Sequence, residues 1–158
     1  MGSGKSSVLS LIQNIDTFDL DNYIQLQTTK TPSQIIKESG VSFFRESEYS
    51  ALVSILSQTK DQPFLLATGG GTLEGLKSLQ LINKSFQTIF LDSSFKTISS
   101  RIRASNQKER PLFNEDAKKL YLKRKRNLYS KSNYTINTEI LTLEEVAKEV
   151  QNIINEII

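Results

Sequence analysis

Near its start the chain reads GSGKSS, from Gly2 to Ser7. A lysine and hydroxyls directly behind two glycines are the closing half of a Walker A loop, G-x-x-x-x-G-K-[ST]. In that loop backbone N–H groups cradle phosphates, the lysine reaches the outer phosphates and the hydroxyl meets Mg²⁺. Gly2, Ser3, Gly4, Lys5, Ser6 and Ser7 are therefore candidates for gripping a nucleotide's phosphates; the same string also fits a flexible tail. Asp19 and Asp21 follow in FDLD. Alternation along a strand puts the two carboxylates on one side, where one could hold a cation and the other take a hydroxyl proton, as phosphoryl transfer requires; two solvated acids of a surface turn are the other reading. Gly69, Gly70 and Gly71 end an apolar run and would let a ligand approach bare backbone. Arg45, in FFRESE, sits among bulky apolar neighbours. It suits either an ion pair with Glu48 or two-pronged capture of a carboxylate. Arg110 stands in the polar stretch SNQKERPLFNED, which reads as a lid over about residues 103–116 that could carry its charge onto a transferring phosphoryl group.

Positioning such residues needs strands that end near one another. PFLLAT (63–68), QTIFLD (87–92) and NYTINT (133–138) read as buried parallel strands, and IDTFDLDNYI (15–24) as a further strand-like segment. Helical spacing appears behind the first glycines, from Pro32 until Gly40 breaks it, and from Ser42 to Thr59, where Phe43, Tyr49, Leu52, Val53, Ile55 and Leu56 suggest the buried face. It recurs over 96–104, 116–130 and the C-terminal stripe of Val146, Val150, Ile153, Ile154 and Ile157. Strands alternating with helices predict an α/β fold, a parallel sheet flanked by helices in three layers.

The length of 158 residues fits one domain, 1–158. The chain has no Cys and no His. Thiolate chemistry is excluded, and any catalysis rests on carboxylates, Lys, Arg and backbone amides. No apolar run approaches the roughly 18 residues of a membrane span, and a cysteine-free chain suits the cytoplasm. The net charge of +3 is modest, yet Lys118, Lys119, Lys123, Arg124, Lys125, Arg126 and Lys131 crowd one stretch. They read as a solvated helix face or a site for phosphates or carboxylates. Without a nucleic-acid-binding signature they do not point to nucleic acid. The chain is read as a monomer with no membrane partner.

Taken in order, GSGKSS, DLD, FRESE, ATGGGT, ERPL and RNLY resemble the shikimate kinases, a P-loop family of the nucleoside-monophosphate-kinase group. The resemblance implies transfer of the γ-phosphate of ATP to the 3-hydroxyl of shikimate, with Mg²⁺. It puts Lys5 and Ser6 on ATP phosphate and Mg²⁺, Asp19 in the metal shell, and Asp21, Arg45 and Gly69 to Gly71 on shikimate. Arg110 becomes the lid arginine, and Glu48 orients Arg45. A further cation for the shikimate carboxylate falls at Lys125 by position, with Arg124 and Arg126 as neighbours; a guanidinium fork favours an arginine, Arg126 or Arg124. The family's acid before FR is Val41 here, and the spacing from Lys5 to Asp19 is short. A gluconate kinase, or a kinase-like binding module without turnover, are the alternatives. The first glycine of the loop and the family's first central strand would precede Met1. The expectation is that about ten further in-frame residues, an apolar run ending in Gly, lie upstream.

Overall fold

A computed structural model describes residues 2–60, 62–104 and 115–158. Its elements run α1 (Lys5–Leu9), β1 (Asp16–Asp19), α2 (Leu20–Thr28), α3 (Pro32–Thr59), β2 (Phe64–Ala67), a 3₁₀ turn (Thr72–Glu74) and α4 (Leu76–Ser85). Then follow β3 (Ile89–Asp92), α5 (Phe95–Ala104), α6 (Glu115–Asn127), a 3₁₀ turn (Tyr129–Lys131), β4 (Tyr134–Asn137) and α7 (Leu143–Ile157). Among the described residues every strand pairs in parallel, β1 with β2 and β3 with β4. The chain divides into two compact units. One combines the segment ending at Val8 with Gln87–Ile157, and the other comprises Leu9–Phe86.

In the Leu9–Phe86 unit, Asp16 to Asp19 lie in register with Phe64 to Ala67. Beneath the strands Leu20, Ile24, Ile35, Phe44, Ala51, Leu52, Ile55 and Ile82 form the core. Phe18, Phe64 and Phe86 meet edge to face, with ring centroids 5.5 and 5.7 Å apart, the geometry their quadrupoles prefer. The strand-like segment over 15–24 proves to be a four-residue strand followed at once by a helix. The Asp19 carboxylate accepts N–H bonds from Asp21 and Asn22, so the chain turns into α2 there. α3 begins with a capping box, in which Thr31 accepts from the Gln34 N–H while the Gln34 side chain accepts from the Thr31 N–H. Gly40 interrupts its helical backbone at φ 85°, ψ 167°.

The buried face of α3 differs from the expected one. Phe44, Glu48, Ala51, Leu52 and Ile55 point inward, whereas Phe43 and Val53 are exposed. Residues 44, 48, 51, 52 and 55 follow the i, i+4, i+7, i+8 stripe of a packed helix, so one residue of phase decides that Phe44 and not Phe43 is core.

The other unit buries Val8, Leu91, Ile98, Ile102, Ala117, Ile136, Val146, Ala147, Val150 and Ile154. Its strands run Ile89 to Asp92 beside Tyr134 to Asn137. α7 opens on a second capping box, Thr142 with Glu145. No described helix is long and apolar enough to cross a membrane.

Candidate active site

The glycine-rich loop belongs to the unit of β3 and β4. Gly2 and Gly4 take φ of 67° and 91°, a region costly for residues with a Cβ. At Gly2 a Cβ would also come within 2.9 Å of Ile102 Cδ1 and 3.0 Å of Ile98 Cγ2, while at Gly4 it would meet nothing within 4 Å. Gly2 is thus required by both conformation and close packing on α5, Gly4 by conformation alone. The Val8 N–H donates to the Gly4 carbonyl at 2.8 Å, which carries the loop directly into α1. Lys5, half-buried, donates to Ser3 Oγ at 3.4 Å, and Ser6 and Ser7 are exposed.

At the C-terminal end of β3 in the same unit, Asp92 accepts from Lys125 Nζ on α6 at 2.6 and 2.8 Å. Ser93 and Thr138, both buried, join hydroxyl to hydroxyl. Arg101 donates to Ser93 Oγ and to the Thr138 carbonyl. The Tyr121 hydroxyl donates to the Ser93 carbonyl, and burial beside Asp92 pushes that phenol up to about 12. Of the three cations considered on α6, Lys125 is thus engaged by Asp92, Arg124 is half-buried and Arg126 exposed.

The other unit gathers a second set of polar side chains. Glu48 is 0% exposed. Its Oε2 accepts from Arg45 Nη1 at 2.6 Å, and its Oε1 accepts from the buried Thr72 hydroxyl at 2.6 Å. Arg45 Nη2 donates to Glu74 Oε2 at 3.1 Å. A Cβ built on Gly69 would lie 3.2 Å from Glu48 Oε1, 3.2 Å from Thr72 Oγ1 and 3.3 Å from Asp21 Oδ1. Four elements therefore meet at Gly69: α2 through Asp21, α3 through Glu48, the end of β2, and the following 3₁₀ turn through Thr72. Burial raises the Glu48 carboxyl above its ordinary value. The bonds from Thr72 and Arg45 oppose that rise, and the charge of Asp21 adds to it.

Asp19 and Asp21 do not face one way by strand alternation, as the sequence had suggested. The strand stops at Asp19, which caps the helix, and Asp21 sits in that helix's first turn. The two cap bonds both fall on Asp19 Oδ1, at 3.1 and 3.3 Å. The ion-pair reading of Arg45 is the one seen here: its guanidinium is held by Glu48 and Glu74. A side chain at Gly69 would press on three oxygens at 3.2–3.3 Å, and Gly71 is buried. Arg110 and most of the lid segment lie outside the described residues. Thr72 and Glu74 escaped the sequence reading; a hydroxyl residue directly after three glycines was the available signal.

A glycine-rich loop entering a helix at Lys5 and Ser6, in a chain of parallel strands of which β1 and β3 end on acids, Asp19 and Asp92, defines a P-loop kinase. The family model for shikimate kinase matches residues 1–155, and the chain belongs to the shikimate kinase family. The shikimate kinase of Sulfurihydrogenibium sp. is 31% identical over 156 residues, covering 95% of this chain and 90% of that protein. The crystal structure of shikimate kinase from Aquifex aeolicus superposes with a TM-score of 0.79 at 29% identity, covering 98% of this chain and 92% of the other. Shikimate kinase from Acinetobacter baumannii, solved in complex with shikimate, gives a TM-score of 0.83 at 25% identity, over 99% and 89% of the two chains.

Proposed function

We propose that the chain transfers the γ-phosphoryl group of ATP to the 3-hydroxyl of shikimate, with Mg²⁺. The observation that carries this is the fully buried Glu48 holding Arg45 beside Asp21 and Gly69, a charged cluster that the fold would have no reason to bury for stability alone. In this reading the Arg45 guanidinium, with two of its five N–H groups directed to Glu48 and Glu74, offers the rest to the acceptor's carboxylate. The Asp21 carboxylate orients the acceptor hydroxyl and takes its proton as that oxygen bonds to the γ-phosphorus and the bond to ADP breaks. Gly69 to Gly71 let the sugar-like ring lie against backbone. An arginine of α6, Arg126 or Arg124, adds a second cation for the carboxylate, and Arg110 serves the phosphoryl group.

On the nucleotide side, Gly2, Ser3, Gly4 and Ser7 wrap the phosphates and Lys5 neutralises their outer charge. Mg²⁺ favours oxygen ligands; the Ser6 hydroxyl, exposed in its unit, and the Asp19 carboxylate, which caps α2 in the other, are the oxygens this reading offers it. When bound, the cation would screen charge between phosphate oxygens.

The test is ADP release measured with ATP and Mg²⁺ over a panel of hydroxy acids. Release that depends on shikimate is expected. Release with gluconate and none with shikimate would overturn the acceptor assignment, and shikimate binding without ADP release would reduce the chain to a binding module.

A further inference from the structure

The hydroxyl of Thr72 stands outside every role assigned above, yet it is wholly buried and makes one of the shortest side-chain bonds of its unit, 2.6 Å to Glu48 Oε1. The Glu48 carboxylate has two oxygens and a partner for each, Thr72 on one and Arg45 on the other. Arg45 in turn lies between two acids. Glu48 is 0% exposed and pulls the guanidinium inward through Nη1, whereas the Glu74 side chain is 35% exposed and bonds Nη2 from the outer side. Which acid sets the direction of Arg45 depends on how firmly the inner one is fixed. We infer that Thr72 is a positioning residue for the acceptor site: by fixing Glu48 Oε1 it directs Glu48 Oε2 at Arg45 and keeps the guanidinium aimed inward instead of surrendering it to Glu74.

The argument is one of satisfied valence in a buried place. Without the hydroxyl, Oε1 would be left beside Thr72's remaining carbon and Gly69, with Asp21 Oδ1 also close to Gly69. Asp21 is an acid and, ionised, offers no donor. An unsatisfied buried carboxylate oxygen is costly. The carboxylate would relieve that cost by rotating towards another donor or by taking up a proton, and either change weakens its hold on Nη1. Glu74, already bonded to Nη2, would then hold the guanidinium in its outward orientation. The methyl of Thr72 has no part in this chain of bonds, so serine should serve as well.

The inference rests on Arg45 as the anchor of the acceptor's carboxylate, and its test separates the two ideas. In ¹⁵N-labelled protein, the side-chain N–H signals of Arg45 are followed for exchange with water. The Thr72→Val variant should exchange about tenfold faster, the scale of one lost hydrogen bond to a charged group, and Thr72→Ser should match the unsubstituted protein. In steady-state assays, Thr72→Val should raise KM for shikimate by about tenfold, with kcat and KM for ATP within about twofold, and Thr72→Ser should restore it. A merely structural residue would move all the kinetic constants together, or none. Should Thr72→Val fail to fold, Thr72→Ala provides the same readouts. Unchanged Arg45 exchange in the hydroxyl-free variant would overturn the inference, as would faster exchange with an unmoved KM for shikimate. If the unsubstituted protein does not use shikimate, the acceptor assignment falls, while the Arg45 exchange rates still decide whether Thr72 positions the guanidinium.

Discussion

Replacing Arg45 by methionine keeps an apolar stem of similar length and removes the charge, leaving Glu48 buried with only Thr72. Breaking a buried ion pair from one side costs about 3–5 kcal/mol when the abandoned charge stays. Glu48 has an escape, because it can bind a proton. At pH 7 that costs about 1.4 kcal/mol for each of the roughly 2.5 pH units above its ordinary value, or about 3.5 kcal/mol. The smaller cost prevails, so Arg45→Met should lose about 3 kcal/mol at pH 7. Folding raises the affinity of Glu48 for a proton, so the folded state holds more protons than the unfolded one above pH 4.5, and stability falls as pH rises through that window. The deficit of the variant should therefore shrink on acidification, to about 0.7 kcal/mol at pH 5 by the same scale. Urea unfolding of both proteins at pH 7 and pH 5 measures this. A deficit equal at the two pH values, or below about 1 kcal/mol at pH 7, would show that the Glu48 charge does not depend on Arg45.

Lys5→Met should cut turnover by about a hundredfold or more, the scale of one aligned charged group, while leaving the melting temperature unchanged. Asp21→Asn should lose activity on a similar scale, at least about a hundredfold, yet unfold at equal or higher urea concentration, because Asp21 raises the carboxyl of its buried neighbour Glu48; a variant that is both inactive and destabilised would contradict that charge coupling. Gly2→Ala places a Cβ 2.9 Å from Ile102 Cδ1 at a φ of 67°, and should cost at least about 1–2 kcal/mol with weaker ATP binding in calorimetry. Normal stability there would mean that the loop relaxes away from α5.

Much of this was legible in the residues. Apolar runs at 64–67 and 89–92 became strands because their side chains are needed on a packed surface, and Gly40 stopped a helical backbone where it was expected to. Glu48 could be named as the partner of Arg45 because the i, i+3 spacing brings the two together on one helix face. The FDLD segment misled, since period two and helix capping compete for the same residues. Asp19 both ends a strand and satisfies the first N–H groups of a helix, and nothing local reveals which pattern Asp21 will follow. The phase of α3 was ambiguous for a similar reason. FF offers two adjacent rings of equal hydrophobicity, and the choice of Phe44 over Phe43 is made by what packs opposite. Thr72 was invisible because its importance comes from Glu48, 24 residues away in sequence.

The break at Gly40 has a bearing on how this chain can change over generations. A continuous helix transmits phase, so one residue gained or lost rotates everything beyond it by about 100°. Gly40 sits at φ 85°, ψ 167° with nothing within 4 Å of where its side chain would be, in backbone territory essentially reserved for glycine. The stretch from Pro32 to the break is thereby a separate rod, seated by its own capping box and by Ile35 in the core. Exposed positions of that rod can vary without turning the azimuth of Arg45 and Glu48, whereas Ile35 is held by the core it shares with Phe44 and Leu52. The glycine separates the helical phase of the upstream rod from that of the rod carrying Arg45 and Glu48, and a replacement at Gly40 itself would have to take a backbone shape that residues with a side chain rarely adopt.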